Sequence, residues 1–300
     1  MTELVFHVDR STIPADADDR IHVWLYGGQP PHLHTGSVGA QAYELASRLG
    51  VQPSIAAVDF LSVAMAVTAA DTFVARGESP DAWARTFEII LPLVNPSAWD
   101  AVKPLLQRTL RFLSGDHWSF EFVAGGMLPP SLAEIRRRRE AIDISKVDCV
   151  SLFSGGLDSA IGAIDLLKLG ARPLLVSHSP RGDATAQEEV AGLLPAKLQR
   201  FAINSYPTWP GVDDDSMRTR SFQFIALGAL AGSAISSFRG NSNVELYVCE
   251  NGLIALNPPL TPRRLGSHST RTAHPYFLIG VRKIVSILGL PIENPQPLRI

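Results

Sequence analysis

The chain has 300 residues, of which 46% are hydrophobic and 19% are charged, and its formal net charge is -2. This composition excludes a disordered chain, and the near-zero net charge makes broad nucleic-acid binding unexpected. The start of the chain has no secretory pattern and no apolar run reaches the ~18–20 residues of a membrane span, so we expect a soluble, cytoplasmic protein with no membrane partner.

The first part of the chain mixes helical and strand patterns. Residues 1–51 are rich in turn-forming residues and yield one strand pattern, which ends at Gly27 and Gly28. The predicted strands are residues 21–26, 87–94 and 118–123, and the predicted helices are residues 56–74 and 99–113. We therefore expect a smaller mixed α+β domain over residues 1–140, with its boundary within 125–145. A partner-binding role for this domain is a hypothesis only.

From residue 147 the pattern changes to apolar strands alternating with helices. The predicted strands are residues 147–153, 173–177, 198–204 and 244–249, and the predicted helices are residues 160–169, 186–195 and 217–237. This alternation predicts a doubly wound parallel sheet, an α/β fold over residues 141–300. Ligands of such sheets bind beyond the carboxyl ends of the strands.

The turn after the first of these strands reads Ser-Gly-Gly-Leu-Asp-Ser at residues 154–159. The first backbone amides of a helix lack internal partners and lie at the positive end of the helix dipole, so they bind anions. Gly155 and Gly156 allow the backbone to curl around a phosphate, and Ser154 and Ser159 add hydroxyl donors. Asp158 would repel a bare phosphate, which suggests that it coordinates Mg²⁺ or fixes the loop. No lysine follows the glycines, so the loop is not of the Walker type.

The pattern Ser-Gly-Gly-x-Asp-Ser after a buried strand resembles the signature of the PP-loop, or N-type, ATP pyrophosphatases. That superfamily has an adenine nucleotide alpha hydrolase-like, Rossmann-like fold and cleaves ATP between the α and β phosphates. The resemblance implies that ATP and Mg²⁺ are the cofactors and that residues 154–159, Leu157 included, form the cofactor-binding loop.

Further motifs resemble the 7-cyano-7-deazaguanine synthases and, more specifically, the synthase-like proteins of bacterial anti-phage islands, the Qat-type systems and their relatives in cyclic-oligonucleotide defence. The motifs are Thr-Arg-Ser-Phe-Gln-Phe at 219–224, the stretches at 250–264 and 269–275, and, in the first half, residues 83–85, 87–94 and 112–118. The resemblance covers residues 56–300.

This resemblance implies ATP-dependent activation of a 7-deazaguanine carboxylate, followed by amide formation with ammonia or a protein amine in anti-phage defence. The implied partners are a 7-deazaguanine-like small molecule and a protein of the same defence operon. Two alternatives stay open: a tRNA-modifying adenylating enzyme, and a non-catalytic ATP-binding subunit of a defence complex.

The resemblance also implies roles for individual residues. Asp158, Ser159 and Arg220 are the candidate catalytic residues, with Mg²⁺ bound through Asp158. Ser177 and His178 are expected near the adenine or ribose. The candidate substrate-binding residues are Ser221, Glu250, Asn251, Arg263, Arg264, Arg271 and His274.

One departure concerns zinc, because the biosynthetic synthases carry a four-cysteine zinc site near their C-terminus. This chain has only Cys149 and Cys249, so it supplies no such site and we expect both cysteines to be structural. The pair His32 and His34 lacks a third ligand nearby, and Asp213–Asp215 is expected to be a solvated loop.

Overall fold

In the computed structural model, the residues described are 1–16, 18–137, 141–178, 183–211, 214, 218–250 and 271–297. The strands are β1 (Thr2–His7), β2 (Ile21–Leu25), β3 (Thr35–Val38), β4 (Thr86–Leu93), β5 (His117–Ala124), β6 (Cys149–Leu152), β7 (Pro173–His178), β8 (Arg200–Ile203), β9 (Val244–Val248) and β10 (Ile292–Pro297). The α-helices are α1 (Ala42–Ala46), α2 (Ile55–Phe73), α3 (Pro96–Ser114), α4 (Leu132–Arg137), α5 (Leu157–Lys168), α6 (Asp183–Gly192), α7 (Arg220–Phe238) and α8 (Pro275–Ile287).

The strands form two five-stranded sheets, one in each half of the chain. The first has the order β3-β2-β1-β4-β5 and the second has the order β8-β7-β6-β9-β10. Every strand pair in both sheets is parallel. The fold is therefore α/β, and the two halves share one strand order, a relationship that the sequence did not reveal.

The predicted strands and helices correspond to β2, β4 to β9, α2, α3 and α5 to α7. The mixed α+β arrangement expected for the first half differs from the parallel sheet observed. Strands β1 and β3 lie in the stretch that gave no clear pattern, so the parallel crossovers of the first sheet were not visible. Helix α8 and strand β10 were also not predicted.

Helices cover both faces of the second sheet. Along β7, Leu174 and Val176 belong to the main core, while Leu175 packs in a separate cluster with residues of α5 and α6. Successive side chains of a strand point to opposite faces, so α5 and α6 lie on the face opposite α7. This confirms the expectation of a parallel sheet wound on both faces.

Helices α2 and α7 pack against each other between the two sheets. The rings of Phe60 and Phe222 lie 5.4 Å apart, and the Ser233 hydroxyl donates to the hydroxyl of Ser54, the N-cap of α2, at 2.9 Å. Both helices are long and apolar enough to cross a membrane, but most of their residues are buried in the protein. They form the core that joins the halves, as is consistent with a soluble protein.

Corresponding helices meet at this contact. Helix α2 connects the third and fourth strands of its half, as α7 does in the second half, while α3 and α8 connect the fourth and fifth strands. Helix α3 packs on α8 just as α2 packs on α7. Each of these two contacts therefore joins a helix to its counterpart in the other half.

Candidate functional site

The glycine loop at residues 154–159 turns the chain from β6 into α5. Gly155 has φ +81°, a left-handed conformation that strains residues with a side chain. Gly156 is the N-cap residue of α5 and offers no side-chain oxygen to the first amides of the helix. The Ser159 hydroxyl instead donates to the Gly156 carbonyl at 2.8 Å, which ties the turn together. The amides of the first helical turn therefore lack an intrahelical partner and remain open to an anion.

Helix α6 packs closely against this loop. A Cβ atom on Gly155 would lie 2.8 Å from Cγ and 3.1 Å from Cα of Gln187. The Gln187 amide donates to the His178 carbonyl at 3.0 Å, so the side chain that lies against the glycine is itself fixed. Both the backbone angle and the lack of space require glycine at residue 155.

A cavity of about 470 Å³ opens next to the loop. Its polar wall includes Ser154, Gly155, Gly156 and Ser159, together with Arg220, Ser221 and Glu250. Its apolar wall includes Leu152, Phe224, Ile225 and Val248. The cavity lies at the carboxyl ends of β6 and β9, and the next helices that the structure describes after them, α5 and α8, pack in different clusters on opposite faces of the sheet. This is the switch point where ligands of open parallel sheets bind.

Helix α7 presents its first turn to the same cavity. Arg220 and Ser221 are its first two residues, and both line the cavity. The Ser221 hydroxyl oxygen is buried and makes no hydrogen bond within the described part of the chain. A Cβ atom on Gly228 would lie 2.7 Å from Leu246 and 2.8 Å from Leu152, so this glycine lets α7 lie close to the sheet.

Two acidic side chains, Glu250 and Asp158, lie near the end of β9. Burial and then the charge of Asp158 raise the pKa of Glu250 above its ordinary value, so these two carboxylates are electrostatically coupled. Asp158 itself is not among the residues that line the cavity. Within the described ranges, no three His, Cys, Asp or Glu side chains form a metal-binding group. Mg²⁺ is usually held by one or two carboxylates plus substrate phosphates, and this donor set fits that mode.

The cysteine next to Glu250 faces the cavity as a neutral thiol. Cys249 lines the cavity, and burial raises the pKa of its thiol to about 11. Since the thiolate is the nucleophilic form, the side chain is unreactive near neutral pH. Cys249 therefore contributes to the wall of the cavity.

Other residues of the sequence-based prediction support the loop without facing the cavity. The buried Ser177 hydroxyl donates to the carbonyl of Phe153 at 2.8 Å, just before the loop begins. His178 is also buried, and its carbonyl accepts the bond from Gln187. Leu157 is 76% exposed at the start of α5. These three residues lie around the loop but do not line the cavity.

Arg271 and His274 contact helix α3 of the first half. The Arg271 guanidinium donates to the Phe112 carbonyl at 2.7 Å and lies 4.9 Å from its ring centre. The His274 ring lies 4.9 Å from that of Phe112, and its Nδ1 atom accepts from the Tyr276 amide as the N-cap of α8. Neither residue lines the cavity, whereas their neighbour Thr272 does.

Three predicted substrate-binding residues, Asn251, Arg263 and Arg264, lie outside the described residues. Sequence analysis also missed part of the cavity wall, namely Phe224, Ile225, Val248 and Thr272. The signal for Val248 was its position at the end of a predicted strand. Phe224 and Ile225 follow Arg220 by one helical turn, which places them on the same side of α7.

The equivalent turn in the first half binds its own side chain. The chain leaves β1 at His7 and enters a short 3-10 helix, whose N-cap, Asp9, accepts a hydrogen bond from the Ser11 amide at 2.8 Å. A carboxylate here occupies the place that an anion would take at a helix start. In the glycine loop the N-cap of α5 is Gly156, which has no side chain, although its own amide donates to the Ser154 hydroxyl at 3.3 Å.

Comparison of the chain with protein-family models, with curated proteins and with solved structures gave no match.

Proposed function

We propose that this protein binds ATP with the loop at 154–159, splits it into AMP and pyrophosphate, and so activates the carboxylate of a 7-deazaguanine-like substrate. Its second half then has the adenine nucleotide alpha hydrolase-like version of the parallel sheet. The activated carboxylate forms an amide with ammonia or a protein amine, in the setting of bacterial anti-phage defence.

The observation that carries this proposal is the uncapped start of α5 beside a cavity. The N-cap, Gly156, provides no side-chain acceptor, and the cavity begins at Ser154, Gly155 and Gly156. The start of a helix carries free amides and the positive end of the helix dipole, which favours an anionic ligand in a cavity beside it. The capped turn at Asp9 provides the contrast within the same chain.

The walls of the cavity suit an activated nucleotide and a flat heterocycle. The loop amides would hold the β and γ phosphates, which leaves the α phosphate towards Arg220 of α7. Phe224 and Ile225 offer apolar surface for a ring, and Glu250 can accept hydrogen bonds from the N–H groups of a guanine-like edge. Asp158 with the phosphate oxygens would hold Mg²⁺, which supplies charge neutralisation when bound.

The proposed reaction has two steps. An oxygen of the substrate carboxylate attacks the α phosphorus, the bond to the bridging oxygen breaks, and pyrophosphate leaves. The amine nitrogen then attacks the acyl carbon, AMP leaves with the bonding electrons, and the nitrogen loses a proton. Arg220 stabilises the negative charge that develops on the α phosphate. This accelerates the first step, because the charge builds up there in the transition state.

The direct test is product analysis with the full chain. We expect AMP and pyrophosphate, in equal amounts, when ATP and Mg²⁺ are supplied with 7-carboxy-7-deazaguanine and ammonium, and an amide by mass spectrometry. Release of ADP and phosphate would contradict the assigned cleavage. If the chain binds a non-hydrolysable ATP analogue but forms no AMP from ATP, the result would favour a non-catalytic nucleotide-binding subunit.

A further inference from the structure

The first half of the chain contacts the start of α7 through one buried carboxylate. Asp71, at the end of α2, accepts hydrogen bonds from the Thr219 amide at 2.9 Å and from the Thr219 hydroxyl at 3.0 Å. Thr219 is the residue that precedes α7, and both residues are fully buried. One oxygen of Asp71 is therefore devoted to the start of a helix in the other half.

The second oxygen of Asp71 belongs to a buried ion network. It accepts from Arg76 at 3.1 Å and from Arg85, and both arginines also bind Asp116. Arg76 donates to Asp116 at 2.8 and 2.9 Å, in the two-point geometry that restricts both partners. Two arginines and two aspartates give this cluster no net charge. Asp71 is thus held rigidly before it contacts Thr219.

Neighbouring contacts hold the same segment. The Arg218 guanidinium donates to the Ser114 carbonyl at 2.9 Å and lies 4.4 Å from the ring centre of Trp83. Asp214 accepts from the Arg76 amide at 2.8 Å, and its own amide donates to the Thr72 carbonyl at 2.7 Å. The approach to α7 is therefore attached to the first half at residues 214, 218 and 219.

This network places the side chains that line the cavity. Arg220 and Ser221 immediately follow Thr219, so the orientation of that residue sets where their side chains enter the cavity. Apolar residues of similar volume would join two halves at least as firmly, because burying charges costs solvation energy. What a carboxylate adds is direction: its hydrogen bonds define one position and one orientation of the helix start.

We propose that Asp71 is a positioning residue for the site, and that through Thr219 the first half of the chain determines where Arg220 and Ser221 stand relative to the glycine loop. The effect on turnover rests on the proposed function, whereas the hold of Asp71 on α7 does not. The first half would thereby contribute to the reaction without lining the cavity.

The test begins with a substitution that removes the hydroxyl donor and keeps the shape of the threonine side chain. Thr219→Val in the full chain removes the hydroxyl donor to Asp71 and leaves the amide donor, Thr219→Ser retains both, and Asp71→Asn removes the charge. Thr68→Val is the matched control, since Thr68 is a buried threonine of α2 whose hydroxyl donates at 3.0 Å to Ala64 within the same helix.

Hydrogen exchange measures the hold on α7 without any ligand. We expect amides in the first turn of α7 to exchange about tenfold faster in Thr219→Val, with Thr219→Ser restoring slow exchange, and Thr68→Val leaving this turn unchanged. If amides throughout Thr219→Val exchanged faster to the same extent, and Thr68→Val showed the same pattern, the contact would only stabilise the fold. That result would overturn the proposal. The Thr219 pair decides the question even where Asp71→Asn does not fold.

Kinetics measures the consequence for the site. We expect kcat for pyrophosphate release to fall about tenfold or more in Thr219→Val, while KM for ATP changes less than about twofold, because the glycine loop is untouched. Unchanged kcat with faster exchange in α7 would refute the positioning role. Absence of turnover in the unaltered protein would refute the proposed function, and the exchange result would still decide whether Asp71 fixes the helix.

Discussion

The carboxylate of Asp71 accepts both the backbone amide and the hydroxyl of Thr219, a residue 148 positions further along the chain. These bonds join the end of a core helix in the first half to the start of the helix that lines the cavity in the second. The two similar halves thus differ at this contact: the second contains the glycine loop, and the first restrains the start of the helix that lines the cavity beside it.

The loop assignment predicts a strong effect at Asp158. We expect Asp158→Ala to reduce pyrophosphate release by about 100-fold or more, because the charge that would hold Mg²⁺ at the phosphates is lost. Asp165→Ala is the control, since Asp165 lies further along α5 and pairs with Lys168 at 3.1 Å. Steady-state assays of both variants test this, with circular dichroism to check folding. Full activity in Asp158→Ala would refute the role of the loop.

Gly155 combines a left-handed backbone with a crowded Cβ position, and Gly170 at the other end of α5 has only the first property. Their φ angles are +81° and +83°, but no atom lies within 4 Å of a Cβ at Gly170. We expect alanine at Gly170 to cost about 1–2 kcal/mol in the free energy of unfolding, and alanine at Gly155 to cost more, because its Cβ would also crowd Gln187. Calorimetric titration with an ATP analogue should show weaker binding in Gly155→Ala only. Equal affinity in both variants would exclude an anion at the loop.

The buried ion network predicts a large stability effect at Asp116. Burial alone would raise the pKa of Asp116, but hydrogen bonds and charges from Arg85 and Arg76 outweigh it and hold the pKa below its ordinary value. Asp116→Asn leaves the two buried arginines with Asp71 and with Asp214, which lies 4.0 Å from Arg85, and the loss of a buried partner typically costs about 3–5 kcal/mol. Urea denaturation measures the loss.

The control for Asp116 is Asp100, whose carboxylate pairs with Lys103 on the surface and is 50% exposed. Asp100→Asn should change the free energy of unfolding by less than about 1 kcal/mol. Similar losses in the two variants would mean that the buried network contributes no more than a surface pair.

A pair of histidines predicts a dependence of stability on pH. His7 Nε2 lies 2.9 Å from His22 Nδ1, and burial, followed by the charge of His22, lowers the pKa of His7 to about 4. Between pH 6.5 and about 4 the unfolded chain therefore binds a proton that folded His7 does not. The free energy of unfolding should fall as the pH drops through this window.

Substitution of His7 separates this contribution from that of other groups. Urea denaturation across the same pH range should give a shallower slope for His7→Gln than for His117→Gln, since His117 is an exposed histidine on β5. Identical slopes in the two variants would show that His7 does not titrate as its surroundings imply.

Arg271 tests the resemblance against the observed contacts. The motif assigns this arginine to the substrate, but its guanidinium bonds to the Phe112 carbonyl and lies over the Phe112 ring. We expect Arg271→Ala to lower the free energy of unfolding by about 1–3 kcal/mol and to leave the affinity for 7-carboxy-7-deazaguanine unchanged. Denaturation and equilibrium binding measure the two quantities. A loss of affinity at constant stability would restore the substrate-binding assignment.

Local sequence patterns were sufficient to predict much of the secondary structure of the second half. The apolar run before Ser154, the two glycines and the alternation that follows predict a strand, a tight turn and a helix, because each depends on backbone preferences within a few residues. The rule that ligands of parallel sheets bind at the carboxyl ends of the strands also marked Glu250, which follows a predicted strand, whereas Arg220 was assigned by the resemblance of residues 219–224.

The first strands of the chain were beyond this reasoning. The face of the sheet to which each residue of β1 and β3 points depends on partners that are distant in sequence, such as the pairing of Leu4 with Ile21 and Ile89. The shared strand order of the two halves was hidden for the same reason.

By itself the sequence determined the loop, because an uncapped glycine turn between an apolar strand and a helix is defined by adjacent residues. Only the tertiary structure decided the partners of Asp71 and Arg271. Each of these side chains bonds across the contact between the two halves, and the energy of such bonds depends on burial and geometry that arise when distant segments pack together.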